Sequence, residues 1–140
     1  MTEHDQLVGV PLANDAVLWR RIHRGSTILD EDRHCTRATS QGFRDATDGS
    51  PMSLYIADEM IMSQRGAHTL LIGHSDYGIA AVTAGQVQAY GWVIRPADPP
   101  DNPPDSAHVE VHGNKSKSQR SKLAALACWI ICPPAITNCC

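Results

Sequence analysis

The sequence predicts an α+β fold, a single domain over residues 1–140 with a mostly antiparallel sheet and a C-terminal helix packed on it. Three observations predict it. Short segments rich in β-branched and aromatic residues recur along the chain, no regular strand–helix–strand alternation links them, and one good helical segment stands near the C-terminus. The 140 residues are enough for one core, and 42% hydrophobic with 19% charged residues is a globular composition. With 12 Lys+Arg against 15 Asp+Glu the net charge is -3. That balance excludes a general nucleic-acid coat, so nucleic acid could be met only through a local basic patch.

The elements follow in order. Residues 1–6 are polar and acidic, and 1–14 read as a flexible or extended end. Ala16–His23 is the first strand, with Leu18, Arg20 and Ile22 on one face and Val17, Trp19, Arg21 and His23 on the other. Gly25-Ser26 and then Asp30-Glu31-Asp32 read as turn and solvated loop, and the polar stretch 33–48 has Phe43 as its anchor into the core. Asp48-Gly49-Ser50-Pro51 is a turn signal. Met52–Ala57 alternates with period 2, and Asp58 and Glu59 then open a short helix to Gln64. Gly78–Thr83 is small and apolar on both faces, as a central strand is, and 84–90 holds a turn or two of helix. Gly91–Arg95 and Ala107–His112 are further strands. The Pro-rich segment 96–106 between them is a stiff extended loop. Ser116 or Ser118 caps a helix reaching about Ile131, stopped by Pro133-Pro134, and 133–140 is a second flexible or extended end.

The five cysteines are an odd count gathered toward one end, which argues against a disulfide scaffold. Cys128 and Cys132, four apart on the expected helix, read as small core residues. Cys139 and Cys140 read as a frayed, oxidisable tail, since a lipidation signal would need a C-a-a-X ending. The N-terminus has neither a basic nor an apolar leader segment, and the apolar run 123–132 is about half the ~20 residues a bilayer requires. No membrane association and a cytoplasmic location are therefore expected.

Two segments could carry chemistry by residue type and spacing. In His108-Val-Glu-Val-His112 the residues two apart share a strand face, so His108, Glu110 and His112 form a row at about 6–7 Å intervals with Val109 and Val111 facing inward. Such a row could supply two or three ligands to Zn or Fe, with His34, His68 or His74 available as a further one. No HExxH motif is present. The second segment carries Lys115, Lys117, Arg120 and Lys122 without an acid, where a helix N-terminus already favours anions. Its spacing is not that of a P-loop. Serine nucleophiles lack a Gly-x-Ser-x-Gly elbow, and Trp19, Trp92 and Trp129 are spaced as core anchors and not as a base-stacking platform.

Arg20 (or its neighbour Arg21) on an early strand, Ser53 on a second and Glu110 on a late one follow the active-site order of ADP-ribosyltransferase-like folds, which the chain resembles at these positions. The resemblance implies that the Arg and Ser53 hold NAD while Glu110 polarises the ribose. The residue two before Glu110 is His108, where Gln or Glu is common in that family.

The expected function is a small accessory or binding module that recognises a partner protein or an anionic ligand through Lys115, Lys117, Arg120 and Lys122. The alternative is a small enzyme, either NAD-processing through Arg20, Ser53 and Glu110 or metal-dependent through His108, Glu110 and His112.

Overall fold

A computed structural model describes residues 9–140. Its strands are β1 (Val17–His23), β2 (Thr27–Asp30), β3 (Cys35–Ala38), β4 (Met52–Ile56), β5 (Tyr77–Thr83), β6 (Val93–Pro96), β7 (His108–His112) and β8 (Cys128–Ile131). The α-helices are α1 (Ala57–Met62), α2 (Ala84–Gln88) and α3 (Lys117–Leu126). Six strands form one sheet in the order β6-β7-β4-β1-β5-β8, with every neighbouring pair antiparallel. The expected α+β class holds.

Period-2 alternation gives the sheet two unlike faces. Leu18, Ile22, Leu54, Val82, Ile94, Val109 and Val111 point to one side, where Phe43 and the Leu123–Ala124 face of α3 close the main core. Trp19, Tyr55 and Ile79 point to the other, where α1 and the 3-10 turn Ala67–Leu71 cover only one end through Met60 and Leu70. The remainder of that second face holds Arg21, Ser53, His108, Glu110 and His112.

Three local expectations need correction. Residues 27–38 are a hairpin of β2 and β3, not a loop; Ile28 and Leu29 are exposed on it, so its pattern carried no burial signal. The C-terminal helix starts as expected, with Ser116 and Gln119 forming a reciprocal capping box, but it ends at Leu126. Ala127 turns extended, and Cys128-Trp-Ile-Ile131, rich in strand-forming residues, pairs with β5 as an edge strand. Cys128 is consequently exposed instead of buried on a helix.

The C-terminal end is tied down. Cys35 is bonded to Cys140, and Cys132 to Cys139, so the tail is fastened to the hairpin. Backbone bonds do the same: Cys140 N donates to Thr36 O at 2.9 Å and Thr36 N to Asn138 O at 2.8 Å. Spacing along the chain could not reveal a bridge that joins residues 105 apart. At the other end, Val10 N donates to Ile94 O and Val10 and Leu12 pack on the core; residues 1–8 of the expected flexible end lie outside the described ones. Among the described residues no helix is long and apolar enough to cross a membrane.

Candidate active site between the first and fourth strands

The β1–β4 ladder holds two registered pairs, Leu18–Ile56 and Trp19–Tyr55. Beyond them the Arg20 side chain bridges the two strands. Its Nη1 donates to Ser53 O at 2.9 Å, its Nε to Gly42 O at 3.0 Å and its Nη2 to Arg44 O at 3.2 Å. Burial, with the charge of Arg21 adding to it, pulls the Arg20 guanidinium down to about 10, so it remains a cation at neutral pH.

A cavity of about 330 Å³ opens at this place. Arg20, Arg21, Arg44, Ser53 and Tyr77 line it, with Asp45 the one acidic group in its wall. Asp45 is itself engaged, accepting from Met52 N at 2.9 Å and meeting Lys115 Nζ at 2.8 Å. Three arginines around a neutralised carboxylate make the cleft electropositive, the field an anionic ligand needs.

Across β4 the register places Ser53 opposite Glu110, and Glu110 opposite Arg95. Ser53 and Glu110 are therefore neighbours on the second face, whereas Arg20, on the face of Leu18 and Ile22, meets Ser53 only through its backbone carbonyl. Arg21, which follows on the same strand, shares the second sheet face with Ser53 and lies over the Tyr55 ring at 5.6 Å. Glu110 Oε1 accepts from Asp98 N at 3.0 Å and lies 3.9 Å from His112 Nε2. Beside it, Arg95 Nε is buried with no hydrogen-bond partner among the described residues.

His108 is held on three sides. Its Nδ1 meets Asp101 Oδ2 at 2.8 Å, its Nε2 meets Ser53 Oγ at 3.0 Å, and Tyr55 stacks on its ring. With both ring nitrogens engaged, His108 has none left for a metal. Among the described residues no group of three or more His, Cys, Asp or Glu is arranged to hold one. The donor set of His108, Glu110 and His112 thus does not fit the Zn or Fe expected from spacing alone, because loop partners claim the first two.

The segment that supplies Asp98 and Asp101 is the Pro-rich loop, which lies over this part of the sheet. Arg65 anchors it with paired bonds to Asp105, Nη1 at 2.9 Å and Nη2 at 2.8 Å. The same bonds hold the Asp105 carboxyl below its usual range. Sequence reasoning missed Asp101, since nothing in a run of prolines and aspartates marks which carboxylate will turn inward.

The basic segment divides. The Lys115 ammonium is enclosed, bonded to Asp45 and to Gly113 O and lying 5.6 Å over the Trp92 ring. Arg120 donates to Lys115 O and Ser40 O, fastening α3 to the 3-10 turn Ser40–Phe43. Lys117 and Lys122 are exposed on α3. Two of the four expected ligand cations thus already have partners within the fold. No family model matches the chain, and neither does any curated protein or solved structure.

Proposed function

We propose that the chain is an NAD-processing enzyme, in keeping with an order of Arg20, Ser53 and Glu110 that is similar to the active-site order of ADP-ribosyltransferase-like folds, and that its anion-binding role belongs to the β1–β4 cleft, not to the basic segment. The observation that carries this reading is the electropositive opening lined by Arg20, Arg21, Arg44 and Ser53, with Glu110 paired opposite Ser53 on the neighbouring strand.

The roles follow from charge and position. Arg21 and Arg44 neutralise the pyrophosphate of the substrate, while Arg20, held by the carbonyls of Gly42, Ser53 and Arg44, shapes the cleft and adds its charge to the field. Ser53 and Glu110 face its nicotinamide-bearing ribose. The Asp98 amide and His112 both address Glu110 Oε1, so Oε2 is the oxygen that meets the ribose 2′-hydroxyl. A carboxylate there stabilises positive charge growing on the sugar while the bond to nicotinamide breaks. Nicotinamide leaves with the bonding pair, and water or another nucleophile bonds to the same carbon and gives up a proton.

The cytoplasmic residence expected from the sequence is at odds with the Cys35–Cys140 and Cys132–Cys139 bonds, which an oxidising compartment sustains.

The test is release of nicotinamide from NAD by the purified chain. Release is expected from the parent, with a fall of at least about a hundredfold in Glu110→Gln, the scale on which removing one stabilising group acts. Circular dichroism establishes that the variant folds. No release above buffer over hours, with candidate acceptors present, overturns the proposal.

A further inference from the structure

Ser53 is joined in a line to His108 and Asp101, two residues that the NAD reading leaves unused. Asp101 is a carboxylate and can only accept, so in the neutral imidazole the proton sits on Nδ1, directed at Asp101 Oδ2 2.8 Å away. Nε2 then carries the lone pair and takes the Ser53 hydroxyl proton across 3.0 Å. These distances lie within the range that activates a serine: nucleophile to base, and base to an orienting third group. The imidazole is further fixed by Tyr55, stacked at 4.9 Å with an interplanar angle of 15°. Ser53 is among the residues lining the electropositive cleft, and His108 and Asp101 line a second opening beside the Pro-rich loop.

We infer that Ser53 is an activated nucleophile, with His108 its general base and Asp101 the residue that orients the base, and that it hydrolyses small carboxylic esters bearing an anionic group. In the first step the Ser53 oxygen bonds to the ester carbonyl carbon while its proton passes to His108 Nε2. The imidazolium is stabilised by Asp101 at Nδ1. As the bond to the leaving alcohol breaks, Nε2 gives that proton to the alcohol oxygen, leaving the acyl group on Ser53. Water then attacks the acyl carbon, its proton moving through Nε2 to the departing Ser53 oxygen. Ester and water become acid and alcohol, and the residues return to their starting state. The cleft arginines select a substrate with a carboxylate or phosphate beside the ester.

The experiment uses a fluorophosphonate probe, with the modified residue located by mass spectrometry, alongside hydrolysis of the p-nitrophenyl monoester of succinate and of neutral p-nitrophenyl acetate. The expected result is a single adduct on Ser53 and faster turnover of the succinate ester. Labelling should disappear in Ser53→Ala, fall at least about a hundredfold in His108→Gln, and fall about tenfold or more in Asp101→Asn. His108→Gln keeps a polar side chain of similar reach, so a loss seen with its circular dichroism unchanged reports chemistry. Absence of an adduct on Ser53, or equal labelling of the parent and His108→Gln, overturns the inference. Nicotinamide release is measured on the same preparation, so esterase and NAD activities fail or succeed separately.

Discussion

The two faces of the six-stranded sheet are made by the same strands and differ in everything else. On one, Leu18, Leu54, Val109 and Val111 meet α3 and Phe43, and no polar side chain interrupts the layer between β4 and β7. On the other, the intervening residues Ser53, Tyr55, His108 and Glu110 are half-covered, and the Pro-rich loop meets them through hydrogen bonds instead of apolar contact. Non-directional burial holds the first face, and directional polar contacts hold the second. The second can therefore lose a partner or exchange one for a ligand without loss of the fold, which is what a site requires.

Neighbouring substitutions on β4 break this comparison most sharply. Leu54 is completely buried, and Leu54→Ala should cost about 3–5 kcal/mol through lost burial and the cavity left behind. Ser53→Ala, one residue away on the opposite face, removes one half-buried hydrogen bond and should cost about 1 kcal/mol. Urea denaturation of the two variants measures both. Similar losses would mean that the faces are equally structural, and the distinction drawn between them would fall.

That alternation is also the part of the molecule most legible in the sequence. Period 2 in β1, β4 and β7 places each of these side chains on its correct face, and Ser116 with its helix could be read from capping chemistry. What could not be read depends on pairing at long range. Cys128-Trp-Ile-Ile131 continues a helical run in sequence and becomes a strand because β5 offers it an edge. The candidate site divides in the same way. Ser53 and Glu110 are marked by their strands, whereas Asp101 enters through a loop whose path no periodicity encodes. The contrast between Lys115 and Lys117 rests on Asp45, 70 residues from the first of them, which no local pattern connects to it.

The loop over the polar face gives a second, smaller test. Its Asp105 carboxyl is lowered by hydrogen bonds from Arg65, with the Ala107 amide adding to them. A lowered carboxylate contributes stability above its unfolded value of about 3.9, and that contribution is lost as pH falls through the lower folded value. Acidification below about pH 4 should therefore loosen the loop before the apolar face responds. The protection of the Ala107 amide, its exchange rate relative to the intrinsic rate at the same pH, reports it, with a loss of protection expected at acid pH in the parent. In Asp105→Asn exchange should be fast already at neutral pH, for a stability cost of about 0.5–1 kcal/mol, since the pair is partly exposed. Protection at Ala107 that is unaffected by both acid and substitution would show that the loop is held by something other than this pair.

The smallest effect is expected at the two exposed lysines of α3. Lys117 and Lys122 have no ion-pair partner among the described residues, whereas Lys115 sits 2.8 Å from Asp45 and lines the wall beside the cleft. Reversing both exposed charges, Lys117→Glu with Lys122→Glu, places acids in the first two turns of the helix. There the helix dipole favours the first by a few tenths of a kcal/mol, so the net change in stability should stay within about 0.5 kcal/mol. Binding separates the two anion sites more clearly than stability does. If anions are taken by the cleft, the double variant should bind NAD within about twofold of the parent at moderate salt, because exposed charges more than about 10 Å from a ligand are largely screened. Isothermal titration at low and high salt measures this. A tenfold weakening in the double variant that disappears at high salt would return the anion site to the basic segment, and the polar face of the sheet would lose its claim to the ligand.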